Sequence, residues 1–184
     1  VGYPWVDMWR SGKIGPIPEE QNLLMPDENR EVFSVLWTTT KPPTAEIPFI
    51  QKAVEAAPEN WHWYIRVHPV CDAQRSEVKR ALKGGSRPNI RVDEGTELPL
   101  YGLFDVADLH VTIDSTCALE ALAFGIPTVI IHERGRKAFE EYVRRGVMFF
   151  EQEASAIPEV IERAVDAKGV ECRRAAEEIF RTVS

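Results

Sequence analysis

From residue 31 onward, short apolar runs alternate with segments of helical periodicity, and no other feature limits the possible folds as strongly. Most of the runs are continuously apolar, which is typical of strands buried on both faces. The predicted strands cover residues 32–39, 61–67, 89–92, 109–113, 128–131 and 147–150. Helices between successive strands favour right-handed crossovers and a parallel sheet. We therefore predict an α/β fold, a Rossmann-like doubly wound parallel sheet of about six strands with helices on both faces.

The helical segments between these strands have recognisable ends. Apolar spacing predicts helices over residues 49–57, 72–83, 98–106, 116–124, 137–145, 157–165 and 171–180. A proline or glycine directly follows four of them, at Pro58, Gly84, Gly125 and Gly146. These residues are typical of the positions where helices end.

The first thirty residues differ from the rest of the chain. They contain four prolines and show no sustained periodicity, so we predict a lead-in or interdomain linker over residues 1–30. Residues 31–184 then form one domain. Because the chain begins at Val1 rather than Met, we expect it to be part of a longer protein.

Composition argues against several classes of partner and site. The chain carries 22 Lys and Arg against 29 Asp and Glu, a net charge of −7, which disfavours nucleic acid and anionic membranes as partners. Its three cysteines are an odd number without CxxC spacing, so we expect neither a disulfide framework nor a zinc site. No run is long enough to span a bilayer and no signal-peptide pattern is present. We therefore expect a cytoplasmic location.

Known motifs of other enzyme classes are missing from the sequence. No GxGxxG follows a predicted strand, which argues against a nicotinamide or flavin dinucleotide site. The phosphate-loop pattern GxxxxGK, the metalloprotease pattern HExxH and the nucleophile-elbow pattern GxSxG do not occur either. Function must therefore be sought in the loops at the carboxyl ends of the strands, where doubly wound sheets bind ligands.

The first candidate site is the loop Asp114-Ser115-Thr116, which leads directly into a predicted helix. Free N–H groups and the helix dipole favour an anion there, and the two hydroxyls can donate further hydrogen bonds to phosphate. Glu120 lies one turn beyond Thr116 on the same face and can accept hydrogen bonds from two ribose hydroxyls. The residues alone leave open a structural alternative, in which Ser115 is an N-cap and Glu120 is a surface acid favoured near a helix start.

The second candidate site is Arg66-Val67-His68-Pro69, at the end of the strand 61–67. Alternation places Arg66 and His68 on one face of the sheet. An imidazole there can donate to a phosphate oxygen or act as a general acid, and Arg66 can brace it or bind phosphate itself. A lone histidine is also common as a structural residue, so this alternative stays open.

Two further strand ends reach the same edge of the sheet. Thr39 and Thr40, with the neighbouring Lys41, end the strand 32–39 and can contact a diphosphate, although a threonine run is equally favoured by β-propensity. His132 ends the strand 128–131 and, with Glu133 and Arg134 beside it, can contact a base or sugar. His62 and His110 lie near the starts of their strands, so we expect both to be structural.

Four segments together resemble a known enzyme family. They are Val1–Asp7 with its Gly-Tyr-Pro, the strand ending in Thr-Thr-Thr, the Arg-x-His-Pro strand end, and residues 114–127 with the sequence DSTCALEALAFGIP. The chain is similar to the C-terminal, nucleotide-binding half of GT-B glycosyltransferases. The resemblance is strongest to transferases of bacterial capsule and surface-polysaccharide biosynthesis and to the glycerophosphotransferases of wall teichoic acid.

This resemblance implies a nucleotide-sugar donor site, with a UDP- or CMP/CDP-linked donor as substrate and neither a cofactor nor a metal ion. It implies that Glu120 holds the ribose, that Ser115 and Thr116 contact the phosphates, and that His68 contacts the phosphate nearest the transferred group as the catalytic residue. It also implies an N-terminal acceptor-binding domain as intramolecular partner, without which this chain is inactive. A peripheral membrane association of the full-length enzyme stays open.

Two alternatives remain at this stage. The non-hydrolysing UDP-N-acetylglucosamine 2-epimerases share the fold and a similar Asp-Ser…Glu segment, but their usual SerGlyGly stretch is SerThrCys here. The second alternative is a non-catalytic Rossmann-like interaction domain that has kept the fold without the site. Nucleotide binding separates the enzymes from the interaction domain, and isomerisation without an acceptor separates the epimerase from the transferase.

Overall fold

The computed structural model describes two long stretches of the chain and a few isolated residues. The described residues are 33–83 and 89–164, together with Met8, Ser11, Cys172, Arg174 and Glu178. Most of the predicted linker 1–30 and most of the predicted helix 171–180 therefore lie outside them. Both of these interpretations remain predictions.

A six-stranded sheet forms the centre of the fold. Its strands are β1 (Ser34–Thr38), β2 (His62–Arg66), β3 (Ile90–Arg91), β4 (Leu109–Thr112), β5 (Thr128–Ile130) and β6 (Met148–Phe150). Neighbouring strands pair in parallel in the order β3-β2-β1-β4-β5-β6. This is the strand order of a doubly wound nucleotide-binding sheet, so the predicted fold class and strand number are confirmed. The order reverses between β1 and β4.

Helices connect the strands on both faces of the sheet. The α-helices are α1 (Ile47–Ala56), α2 (Arg75–Lys83), α3 (Val92–Glu97), α4 (Leu100–Val106), α5 (Cys117–Phe124), α6 (Glu133–Ala138) and α7 (Glu140–Arg144), and residues 157–164 are also helical. Short 3₁₀ turns cover Pro43–Glu46, Pro69–Gln74 and Ala154–Ala156. In this part of the chain no helix is long and apolar enough to cross a membrane.

The continuous apolarity of β1 follows from burial on both faces. Val35 and Trp37 pack into one core with side chains from α1, α2 and the helix 157–164. Leu36, which lies between them, packs into the opposite core with α4 and α5. Every residue of β1 is buried, because each face of the sheet carries its own layer of helices.

The structure corrects three of the predicted helix and strand boundaries. The helix predicted over residues 137–145 is two short helices, α6 and α7, separated at the buried Phe139 with φ −113° and ψ 25°. The helix predicted over residues 72–83 begins as a 3₁₀ turn and becomes α-helical at Arg75. The strand predicted over residues 89–92 is only two residues long, because the chain enters α3 at Val92.

Gly135 fixes the position of α6 against the sheet. An added Cβ at Gly135 would lie 1.7 Å from the carbonyl oxygen of Ile113, so the two backbones are in direct contact. Only a residue without a side chain permits this approach. It brings the beginning of α6 beside the loop that follows β4.

Candidate functional site

A cleft of about 460 Å³ lies at the carboxyl edge of the sheet. Its walls come from the loops that follow β1, β2, β4 and β5, and β1 and β4 are the strands between which the order reverses. The residues that line it are Thr39, Thr40, Lys41, His68, Asp114, Ser115, Thr116 and Arg134. Doubly wound sheets bind ligands at this topological position, so the fold brings the predicted strand-end loops to one site.

The loop after β1 is held in place by strand β2. The Thr39 backbone N–H donates to the Arg66 carbonyl (3.0 Å), and the Thr39 hydroxyl donates to the same oxygen (3.2 Å). The His68 backbone N–H in turn donates to the Thr39 hydroxyl (3.3 Å). Thr39 is buried, so its hydroxyl mainly joins two loops, while the half-buried Thr40 and the exposed Lys41 face the cleft.

The N-terminus of α5 forms the opposite wall. The Ser115 hydroxyl accepts from the Cys117 backbone N–H (3.3 Å), and the Ser115 N–H donates to the Thr112 hydroxyl (3.3 Å). Thr116 is the N-cap residue and makes no side-chain capping bond. Its exposed hydroxyl is therefore available to an anion, whereas the first N–H groups of the helix are already bonded: Ala118 N–H donates to the Ser115 carbonyl (3.0 Å) and Leu119 N–H to the Thr116 carbonyl (3.0 Å). The positive end of the helix dipole still favours an anion at this wall.

His68 presents one ring nitrogen to the protein and one to the cleft. Its Nδ1 accepts from the Val70 backbone N–H (3.2 Å), which assigns the proton of the neutral ring to Nε2. Burial and the nearby positive charge of Lys41 lower the pKa of His68 below its usual value. His68 is therefore a neutral Nε2–H donor near pH 7, and among the described residues Nε2 has no partner.

An ion pair crosses the cleft between Asp114 and Arg134. The Arg134 Nε lies 2.5 Å from one carboxylate oxygen of Asp114, and Nη2 donates to the other at 3.1 Å. The Arg134 side chain is 58% exposed and that of Asp114 is 25% exposed. A pair this open to solvent contributes little to stability, so Arg134 can change partner when an anion enters the cleft.

Arg66 lies outside the lining of the cleft. Its Nη1 donates to the carbonyl oxygens of Gly95 (3.1 Å), Thr96 (3.3 Å) and Leu98 (2.7 Å). These carbonyls belong to the C-terminal end of α3, where a cation is favourable. Burial lowers the pKa of Arg66, and Glu120 opposes this shift. In this structure Arg66 joins β2 to α3, and its predicted role in donor binding remains a prediction.

Glu120 forms a second, half-buried polar group beside the cleft. The Tyr101 hydroxyl donates to its Oε1 at 3.4 Å. Burial raises the pKa of Glu120, while the Tyr101 hydrogen bond and the charge of Arg66 lower it. Burial and the Glu120 charge likewise raise the pKa of Tyr101. Glu120 follows Thr116 by one helical turn, but it is not among the residues that line the cleft.

His132 is exposed and begins α6. Its Nδ1 accepts from the Arg134 backbone N–H (3.0 Å) and thereby caps that helix. It does not line the cleft, whereas its neighbour Arg134 does. Its position at the carboxyl end of a strand therefore indicated the correct loop, and the predicted contact of His132 with the donor stays untested.

The structure brings eight residues of the predicted strand-end loops into one cleft. They are Thr39, Thr40, Lys41, His68, Asp114, Ser115, Thr116 and Arg134. The sequence singled out all of these loops, and Asp114 is the residue among them for which it suggested no contact. Sequence reasoning missed Glu46 and Tyr101, since an acid near a helix start and an aromatic residue in a helix are both ordinary. No group of three or more potential metal ligands occurs in the described ranges.

Comparison with known proteins supports the fold but supplies no close relative. No protein-family model and no curated protein sequence matches the chain. Among solved structures, the wall teichoic acid polymerase TagF soaked with CDPG matches 100% of the chain at 15% identity, with a TM-score of 0.62. The C-terminal CMP-Kdo binding domain of WaaA from Acinetobacter baumannii matches 95% at 13% identity (TM-score 0.58). UDP-GlcNAc 2-epimerase from Neisseria meningitidis, bound to UDP-GlcNAc, matches 96% at 17% identity (TM-score 0.57).

The extent of these matches differs between whole enzymes and an isolated domain. The chain spans 45% of the matched TagF chain and 50% of the epimerase chain, but 94% of the WaaA domain. The chain therefore spans about half the length of these two enzymes and nearly all of the isolated WaaA domain. The predicted fold, that of the nucleotide-binding half of GT-B glycosyltransferases, is confirmed.

Proposed function

We propose that this domain binds the nucleotide-sugar donor of a GT-B glycosyltransferase. The observation that carries the proposal is the convergence of four strand-end loops on one cleft at the switch point of the sheet. Hydroxyl, imidazole and cationic groups line this cleft around the N-terminus of α5. A nucleoside diphosphate group has the charge and the acceptor oxygens that match such a set of donors.

The diphosphate contacts follow from the two walls of the cleft. One phosphate lies at the positive end of the α5 dipole and accepts from the hydroxyls of Ser115 and Thr116. The other lies toward the loop after β1 and accepts from His68 Nε2–H and from the Lys41 ammonium group. Arg134 leaves Asp114 and pairs with the donor, because a bidentate arginine–phosphate pair is a strong charge-assisted interaction. Lys41, His68, Arg134 and the helix dipole then offset the charge of the departing diphosphate.

Glu120 is our candidate for the ribose contact. Its carboxylate accepts one long hydrogen bond, from Tyr101 at 3.4 Å, and an ionised carboxylate can accept several more. The side chain is half-buried, so hydrogen bonds made there compete with little water. Two ribose hydroxyls are suitable donors for the two carboxylate oxygens.

The chemical step transfers the sugar from the donor to an acceptor hydroxyl. The bond between the anomeric carbon and the phosphate oxygen breaks, and its electron pair leaves with the diphosphate. The acceptor oxygen bonds to the anomeric carbon, and its proton passes to a base that we assign to the acceptor-binding half of the protein. His68 stabilises the leaving phosphate oxygen by hydrogen bonding, since its low pKa makes the neutral ring the main form near pH 7.

The wider context is also part of the proposal. We infer that the chain is the C-terminal half of a longer, metal-independent enzyme of surface-polysaccharide biosynthesis, acting at the cytoplasmic side of the membrane. The similarity in fold to TagF and to the CMP-Kdo binding domain of WaaA supports this context. Transfer by the full-length protein in the presence of EDTA tests the metal-independence directly.

Thermal unfolding with a ligand panel tests donor binding by this chain. UDP, CDP, CMP, GDP, ADP and inorganic phosphate are compared. A ligand at one hundred times its Kd stabilises by about 2.7 kcal/mol, which raises the Tm of a domain this size by roughly 5–11 °C. We expect a shift with one pyrimidine nucleotide that Glu120→Ala and Thr116→Val both reduce. Absence of any shift for the parent chain and the full-length protein would reject donor binding and leave the non-catalytic interaction domain.

The epimerase is the second candidate function because UDP-GlcNAc 2-epimerase has the same fold at a TM-score of 0.57. It would break the same anomeric bond but return the sugar to the diphosphate after isomerisation at C2. Incubation of the full-length protein with the preferred nucleotide-sugar and no acceptor separates the two. A C2 epimer among the products would replace the transferase with the epimerase.

A further inference from the structure

A buried carboxylate lies behind the cleft and is not used by the donor contacts proposed above. Glu46 is only 3% exposed and sits in the 3₁₀ turn that follows the loop after β1. Its Oε2 accepts from the Trp37 indole N–H (2.9 Å). Its Oε1 accepts from the Thr40 backbone N–H (2.5 Å) and from the Thr40 hydroxyl (3.0 Å).

The three hydrogen bonds to Glu46 favour its ionised form. Each carboxylate oxygen faces an N–H group that cannot act as an acceptor, so a proton on either oxygen would displace one of these hydrogen bonds. Burial is the largest influence and raises the pKa of Glu46 above its usual value; the bonds from Trp37 and Thr40 oppose this rise, and the negative charge of Asp114 adds to it. Asp114, in the loop after β4, is the one charged group that acts on it from another element among the described residues.

The hydrogen bonds of Glu46 define the shape of one wall of the cleft. Thr40 and Lys41 line the cleft and lie at the end of β1. Thr39, one residue earlier, is tied to β2 through the Arg66 carbonyl and the His68 backbone N–H. Glu46 supplies the contacts on the other side, because both polar groups of Thr40 bond to it. The loop 39–41 is therefore held from β2 at one end and from Glu46 at the other.

We propose that Glu46 is a positioning residue for the donor site: its carboxylate holds the loop 39–41 in the conformation that presents Lys41 to the donor phosphate. This inference rests on the proposed function. Glu46 itself touches no substrate, since it is buried behind Thr40. Its effect on binding passes through the Thr40 backbone, which carries Lys41 with it.

Three variants separate this role from a general contribution to stability. Glu46→Met removes every acceptor at nearly unchanged volume. Trp37→Phe removes the donor on Oε2 and leaves the Thr40 contacts intact. Trp37→Phe combined with Glu46→Gln keeps one amide oxygen as the acceptor for Thr40. Because the Trp37 indole N–H is absent in this variant, the amide nitrogen on the other side meets no competing donor. The measurements are the Kd of the preferred nucleotide and the hydrogen-exchange protection of the Thr40 amide.

The expected result is a split between binding and stability. Glu46→Met weakens nucleotide binding by about tenfold or more, because a hydrogen-bonded buried charge that orders the loop is lost, and the Thr40 amide loses its protection. Trp37→Phe lowers the unfolding free energy but leaves the Kd and the Thr40 protection near those of the parent, as does the double variant. Unchanged binding and unchanged Thr40 protection in Glu46→Met would overturn the proposal.

A titration of the unmodified chain keeps the test decisive if Glu46→Met does not fold. The carboxyl ¹³C shift of Glu46, the Thr40 amide shift and the Trp37 indole N–H shift should titrate with one midpoint. A Thr40 amide that does not follow the Glu46 carboxyl overturns the proposal. If the parent chain binds no nucleotide, the proposed function fails, and so does the part of this inference that concerns nucleotide binding. The Thr40 amide then decides by itself whether Glu46 orders the loop.

Discussion

Two polar layers built from the same residue types are two residues apart in the chain, the lower one at Thr38 in β1 and the upper one at Thr40 just beyond it. In the lower layer the Thr38 hydroxyl bonds to His110 Nε2 (2.8 Å), and His110 Nδ1 bonds to the Thr128 hydroxyl (3.2 Å). These side chains are 4%, 0% and 0% exposed. In the upper layer, Thr40 and His68 line the open cleft. Threonine and histidine thus serve the interior of the sheet in one layer and the candidate site in the next.

The difference shows that exposure, rather than residue type, assigns the role. Burial lowers the pKa of His110 to about 3, and both of its ring nitrogens have partners, so it is a neutral link between β1, β4 and β5. His68 uses only Nδ1 within the described structure and keeps Nε2–H for a ligand. The lower layer is expected to carry stability, and the upper layer binding. The predictions below test this division.

Gly135→Ala should give the largest effect on stability. The new methyl group would lie 1.7 Å from the Ile113 carbonyl oxygen, so α6 must move away from β4. Overpacking against backbone of this kind costs roughly 3 kcal/mol or more of unfolding free energy. Urea denaturation measures it. The control is Gly125→Ala, where φ is 78° and the left-handed conformation alone costs about 1–2 kcal/mol. Equal losses at both glycines would contradict the close packing of α6.

His110→Phe should be next, and should affect stability without affecting the cleft. Phenylalanine fills the space of the imidazole but leaves the hydroxyls of Thr38 and Thr128 without their bonds to it. Each unsatisfied buried polar group costs about 1–3 kcal/mol, so for two hydroxyls we expect a loss of roughly 2–6 kcal/mol of unfolding free energy. The Kd for nucleotide, measured on folded protein, should stay within about threefold of the parent value. A larger loss of affinity would break the division between the two layers.

The unfolding free energy should fall at low pH because His110 is buried in its neutral form. Its pKa is about 3 in the folded state against 6.5 for the ordinary side chain, so the unfolded state binds the proton more readily. The stabilisation is complete above pH 6.5 and falls as the pH drops, by roughly 4–5 kcal/mol in total toward pH 3. Urea denaturation at a series of pH values measures it.

His110→Gln is the control for this pH dependence. Glutamine retains a donor and an acceptor but does not titrate, so the difference in unfolding free energy between parent and variant isolates His110 from the carboxyl groups. Glu46 and Glu120, whose pKa values are raised, contribute with the opposite sign as the pH falls through their range. A difference that is independent of pH between 6.5 and 3 would contradict the buried neutral state of His110.

His68→Asn should separate binding from stability in the upper layer. The asparagine carbonyl oxygen can accept from the Val70 N–H as Nδ1 does now, so the turn is kept while the Nε2–H donor is removed. Losing a hydrogen bond to a charged phosphate corresponds to about 1.5–3 kcal/mol, or roughly 10- to 150-fold in Kd. The unfolding free energy should change by less than about 1 kcal/mol. Calorimetric titration with the preferred nucleotide tests the first expectation and urea denaturation the second.

Asp114→Asn should give the smallest change in stability. The Asp114–Arg134 pair is open to solvent, and pairs of this kind contribute about 0–1 kcal/mol. Removing the carboxylate frees Arg134 and takes one negative charge from the cleft, so nucleotide binding should become tighter. Arg134→Met should instead weaken it, with equally little effect on stability. Weaker binding in Asp114→Asn would show that Asp114 orders the loop rather than competing for Arg134.

The sequence predicted the strands better than the helices that shape the cleft. All six predicted strands exist, because continuous apolar runs record burial on both faces. The predicted helix 137–145 was instead α6 and α7, since the start of α6 depends on the contact between Gly135 and Ile113 and on the cap from His132. Such long-range contacts leave no periodic pattern in the sequence.

The candidate site was predictable only in part. Position after a strand correctly placed Thr40, His68, Ser115 and Thr116 at one edge of the sheet. It suggested that Arg66 braces His68 or binds phosphate, but it did not predict the three carbonyls at the end of α3 that the guanidinium binds, because the two-residue strand β3 and the early start of α3 were not anticipated. It also missed Glu46, whose three hydrogen bonds become visible only once the chain has turned back on itself.

The sequence by itself determined the layered α/β architecture and the edge of the sheet at which polar loops meet. Both depend on local patterns: which runs are apolar, and which residues follow them. Only the tertiary structure decided which threonine and which histidine are buried, which arginine faces the cleft, and which carboxylate lies beneath it. The reason is physical, since a side chain's pKa, partners and exposure depend on neighbours distant in the chain, such as His110 against Thr38 and Thr128, or Arg134 against Asp114.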